Sequence, residues 1–146
     1  MIIDAANLFD DAHAVAAGSE NGVYSTYSVN LKATANNIGV GENLYVVVIL
    51  DAATTGAGDT LNVYLVTDDN AGLNSPTVVQ KLGTFAANSA IGSKLIARIS
   101  PATLEQYIGL KYYAEGSGAI DTGTVTAMIV HDVDAVTYYA DNITIS

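Results

Sequence analysis

The feature that most restricts this chain is an apolar alternation of period two, repeated along its length and broken by glycine- and Asx-rich stretches. Val23, Ser25, Tyr27, Val29 and Leu31 alternate with Tyr24, Thr26, Ser28 and Asn30. Leu61, Val63 and Leu65 flank Asn62 and Tyr64, and Leu95, Ala97 and Ile99 interleave with Lys94, Ile96 and Arg98. Ile108, Leu110 and Tyr112 do the same with Tyr107, Gly109 and Lys111. Successive side chains of a strand point to opposite faces, so each run reads as a strand with one buried face. Residues 44–50, from Leu44 to Leu50, are apolar at every position and read as a central strand covered on both sides. Further strands are expected over 76–82 and 123–132. The breaks at 39–41, 55–59, 68–72 and 115–118 are rich in the residues that reach positive φ or close side-chain turns. Seven or eight strands at intervals of roughly 15 residues predict an all-β fold, a single-domain antiparallel β-sandwich or jelly roll.

Helix is confined to one or two short turns. Ser100 to Glu105 has a capping serine, Pro101 in the first turn and an early acid. Asn7 to Ala17 is the second place, with Leu8 and Phe9 as its bulk. The organisation expected is an amino-terminal arm over residues 1–22 followed by a sandwich domain over 23–146.

Composition narrows the function classes. A chain of 146 residues is the size of one domain and can bury a real core. It has no cysteine, which excludes disulfides, thiolate metal sites and a cysteine nucleophile. Five basic residues against fifteen acidic ones give a formal charge of −10, so phosphate backbones and anionic lipid are repelled. Neither nucleic acid nor membrane is an expected partner. The aliphatic run at 44–50 falls well short of the ~20 residues that span a bilayer, and Met1-Ile2-Ile3-Asp4 lacks the basic start of a signal peptide. The expectation is a soluble protein made in a cytosol.

Catalytic machinery is hard to assemble from these residues. His13 and His131 are not at a ligand spacing, and His131 next to Asp132 reads as a strand-end histidine, because adjacent strand residues face opposite sides. Asp68-Asp69-Asn70 followed by Gly72 resembles a calcium loop only in part, since the place of its closing glutamate is held by Val78. That stretch is expected to be a turn closed by local carboxylate bonds. The glycine pairs at 39 and 41 and at 56 and 58 open no helix and cradle no phosphate. No catalytic, metal or cofactor-binding residue is assigned, and no enzyme is expected.

Two features suit contact with another protein. Lys94 and Arg98 share a strand face and Lys111 lies on the following strand, which is either a docking patch for an acidic partner or ordinary cross-strand pairing. Among nine tyrosines, Tyr112-Tyr113 and Tyr138-Tyr139 are adjacent, so on a strand one of each pair faces outward. With no tryptophan, a sugar-stacking platform is less favoured than a protein contact.

Several segments, in order and over most of the chain, resemble the capsid cement (decoration) proteins of tailed bacteriophages, of the kind found in a Bordetella phage. They are residues 1–4 with 8–12, 38–48, 61–70 with Ser75-Pro76-Thr77, 104–113, and 123–127 through 134–139. One departure is Glu105-Gln106 before Tyr107, where basic residues are expected. The resemblance implies a jelly roll on the outer surface of the virion head, made in the bacterial host cytoplasm. There it would bind the major capsid protein and lock neighbouring subunits after shell expansion. It implies a homo-oligomer, a dimer ahead of a trimer, and carries no individual functional residue over. Ile2, Ile3, Leu8 and Phe9 are the expected docking residues of the arm, joined by Lys94, Arg98, Tyr138 and Tyr139. Deleting residues 1–11 is then expected to abolish capsid binding and leave the fold intact. The alternatives are a receptor- or carbohydrate-binding module of a phage tail and, more remotely, a small hydrolase uniting His13 or His131 with two carboxylates.

Overall fold

Strand β4 (Tyr45–Thr55) realises the run that is apolar at every position. Val46, Val48 and Leu50 turn toward the main core, while Val47 and Ile49 turn the other way onto Met128, with Leu8 and Val130 packed alongside. Both faces are filled because β4 lies inside its sheet, between β7 (Lys94–Arg98) and β9 (Thr122–Val130). The computed structural model describes residues 7–16, 19–32, 44–56, 58–99, 104–116 and 118–130.

The other strands are β1 (Leu8–Ala14), β2 (Val23–Tyr24), β3 (Val29–Asn30), β5 (Thr60–Asp68), β6 (Thr77–Phe85) and β8 (Tyr107–Glu115). Two antiparallel sheets form, in the orders β1-β9-β4-β7 and β2-β8-β5-β6, with β3 also on β8. β2 and β3 pair with β8 in succession, Val23 opposite Tyr112 and Val29 opposite Ile108, so they are halves of one interrupted strand. With the halves counted once, the sheets read 1-8-3-6 and 2-7-4-5. Two interlocked Greek keys have that order, and the sandwich is a jelly roll. Its core lies between the sheets, where Phe9, Val48 and Val125 of the first meet Val63, Leu65, Leu110 and Tyr112 of the second.

Three expectations need correction. The helix expected over Asn7 to Ala17 gives way to a strand: residues 8–14 form β1, hydrogen-bonded along β9, and Ala17 lies outside the described residues. For the same reason the arm does not extend to residue 22. Val15 N–H donates to the Gly123 carbonyl, Ala114 N–H to that of Ser19, and Phe9 is fully enclosed in the core. The alternation over 23–31 does not make one continuous strand. Ser25 keeps its N–H bond to the Leu110 carbonyl, but its hydroxyl takes the place of its carbonyl in accepting from Leu110 N–H. The chain then swings toward β1 and leaves Tyr27 55% exposed. The turn expected at Ser100 to Glu105 lies mostly outside the described residues.

Part of the second sheet's outer face is covered by the loop between β5 and β6. Leu73 folds over Gly109, where a Cβ would run into its Cδ1. Ser28 Oγ holds the loop from the other side, donating to the Ala71 carbonyl at 2.8 Å.

Candidate functional site

One group of ionisable residues that the fold brings together lies between β1, β8 and the link joining β2 to β3. Leu8 pairs with Met128 and Asp10 with Ala127, so two residues of β1 stand against one of β9. This bulge turns both Phe9 and Asp10 inward, where strict alternation would send one of them out. Asp10, with no exposure, accepts from Thr26 N–H at 2.7 Å and from the Tyr112 hydroxyl at 2.6 Å. His13 Nδ1 lies 2.9 Å from Thr26 Oγ1 and 3.8 Å from Asp10, and its ring stands 6.2 Å from that of Tyr112. His13 Nε2 is enclosed without a hydrogen-bond partner among the described residues.

Burial raises the Tyr112 phenol well above its ordinary range, and the Asp10 charge raises it further. A phenol so held keeps its proton at neutral pH, and both Asp10 oxygens are taken up by donors from other elements. The arrangement suits a strut that ties β1 to the second sheet better than a centre that moves protons. Sequence reasoning missed it. Nothing in the sequence marks Asp10 rather than Asp11 as the inward acid until the bulge is known.

The Asp68 stretch forms the turn expected of it. Asp68 accepts Asn70 N–H at 3.1 Å and Ser75 N–H at 3.0 Å, one on each oxygen, and Asn70 Oδ1 accepts Gly72 N–H at 2.8 Å. The Ser75 bond is the main cause holding the Asp68 carboxyl below its ordinary value, against an opposing push from burial. One ligand oxygen each from Asp68, Asp69 and Glu105 lie within 4.8 Å of one another, the last two exposed.

Of the expected interface residues, Ile2, Ile3, Tyr138 and Tyr139 lie outside the described residues, as does His131. Phe9 is a core residue, and Leu8 is half-buried against Val47, Ile49 and Met128 on the outer face of the first sheet. Neither belongs to a free arm. Lys94 and Arg98 are exposed on one face of the edge strand β7, with Ile96 between them 39% exposed. Lys111 does not join them: it stands on the outer face of the second sheet, near the rings of Tyr24 and Tyr113. The three cations close in sequence therefore do not form one patch.

No curated protein matches the chain. A family model does, over residues 9–129, from within β1 almost to the end of β9 and so across both sheets. The chain belongs to the Bbp16 family, whose name suggests a Bordetella phage protein and states no function.

Proposed function

We propose that this protein is a structural virion protein, a capsid cement (decoration) protein that binds the outer surface of a tailed-phage head and bridges neighbouring major capsid subunits. The observation that carries the reading is the family match across the whole described sandwich, under a name that suggests a phage. The fold is compatible with it: a two-sheet β-sandwich whose inward acid, Asp10, serves the joint between the sheets. No helix among the described residues is long and apolar enough to cross a membrane.

A DNA-filled shell pushes its subunits apart, and a clip that spans two of them adds binding free energy against separation. On a symmetric lattice each modest contact counts further, because the second engagement is intramolecular. The partner in this reading is the major capsid protein. The protein acts as a homo-oligomer, a dimer ahead of a trimer, reaches the capsid from the host cytoplasm, and is not an enzyme. The test is to mix purified protein with expanded and unexpanded heads of its own phage and pellet them. Saturable binding to expanded heads, with raised resistance to heat or chelators, is the expected result. Binding to neither form overturns the reading, and a glycan-array signal would then favour the receptor-binding alternative.

A further inference from the structure

One register row crosses the outer face of the second sheet. Tyr64 of β5 pairs with Lys81 of β6 on one side and Lys111 of β8 on the other, and Lys111 pairs with Tyr24 of β2. Lysine and tyrosine thus alternate across four strands. Lys81 Nζ lies 6.0 Å from the centre of the Tyr64 ring, and Lys111 Nζ 5.9 Å from that of Tyr24 and 5.7 Å from that of Tyr113. The stem of Lys111 lies over Gly22, where a Cβ would run into its Cε, and the φ of +91° there also favours glycine. The ammonium is therefore held by shape and by two ring faces before any partner arrives, which lowers the ordering cost of binding. Among the described residues no carboxylate lies within ion-pair distance of either lysine. Glu115, the acid on the same face of β8, accepts from Asn62 Nδ2 at 2.8 Å.

In a chain with five basic and fifteen acidic residues, two of the five stand in this row. We propose that the Lys81–Tyr64–Lys111–Tyr24 row, with Tyr113 beside it, is a docking surface for a carboxylate-rich segment of another protein; that the other protein is the capsid subunit rests on the cement reading. Fixed ammonium groups meet carboxylates, and the tyrosines add flat contact area with a hydroxyl at its rim. A second copy of this chain is a poor occupant, because an isologous contact would set the lysines against each other. A formal charge of −10 weighs equally against nucleic acid and anionic lipid.

The test has two arms, both on the full chain. In the first, a glutamate-rich decapeptide and its glutamine counterpart are titrated into 15N-labelled protein. The expected result is shifts gathered at Tyr24, Tyr64, Lys81, Lys111 and Tyr113 with the acidic peptide alone, lost in K81E/K111E and reduced by salt. Equal shifts with the glutamine peptide, or shifts that survive the charge reversal, overturn the proposal. In the second arm, head occupancy of K81E/K111E is expected to fall about tenfold. Undiminished binding by K81E/K111E overturns the docking row while the cement reading stands. Heads that take up no wild-type protein overturn the cement reading, and the peptide arm then decides the row alone. K81Q/K111Q, checked by thermal melting, replaces the reversal if that variant does not fold.

Discussion

Asp10 is fully enclosed in a chain with acids to spare, and its partners explain why it stays there. Thr26 N–H and the Tyr112 hydroxyl each bond one of its oxygens, so the buried charge is compensated from two other elements. The phenol is titratable, and the sign of its effect can be worked out. Its folded pKa is raised by burial and by Asp10, while the unfolded value is about 10. Between these values the unfolded chain has lost a proton that the folded chain retains, so stability falls as pH rises. The contribution is complete below the unfolded pKa and is lost as pH climbs from there through the raised folded value. Replacing Tyr112 with Phe is expected to cost about 1–3 kcal/mol at pH 7, because Asp10 loses a donor without gaining water. Urea midpoints of both proteins at pH 7 and above pH 10 check this. The variant should lose less stability than wild type on going alkaline, since every other titrating group is common to both. Equal alkaline losses would show that the phenol does not couple to folding.

At the level of elements, legibility followed how many faces of a strand are apolar. β4 is buried on both faces and was readable from residues 44–50 alone; β5 and β8 showed their inward sets by simple alternation. β1 could not be read this way. Its bulk is Leu8 and Phe9, the next inward residue is a carboxylate, and a bulge breaks the parity that alternation relies on. The break between β2 and β3 was hidden for a related reason, as the Ser25 hydroxyl substitutes for a backbone acceptor and lets the chain leave the ladder without a turn residue. The Lys–Tyr row was invisible because its members come from four strands, and only the register aligns them. These placements reverse the expected result of deleting residues 1–11. That deletion removes Phe9, Asp10 and half of β1, so it should abolish cooperative unfolding as well as any capsid binding. Phe9→Ala isolates the packing part, at about 3–5 kcal/mol for a buried phenylalanine. Denaturant melts decide the matter. A near-neutral Phe9→Ala would return these residues to a dispensable arm.

For the whole molecule, charge sets two trends of opposite sign. With fifteen acids and five bases the folded chain repels itself, because folding draws the surplus acids closer together than they lie in the expanded chain. Salt shortens the reach of that repulsion from about 30 Å at 0.01 M to about 8 Å at 0.15 M. The melting temperature should therefore rise with sodium chloride over that range. Docking of a carboxylate-rich segment on Lys81 and Lys111 should weaken over the same range, since screening removes the attraction that draws the segment in. Measuring both on one preparation separates two explanations that a binding assay alone confuses. If binding fell because the jelly roll was loosening, melting temperature and affinity would fall together. Rising stability with falling affinity assigns the loss to the interface. A melting temperature that drops with salt would instead mean that favourable charge pairs outweigh the surplus of acids, and the molecule would owe net stability to its surface electrostatics.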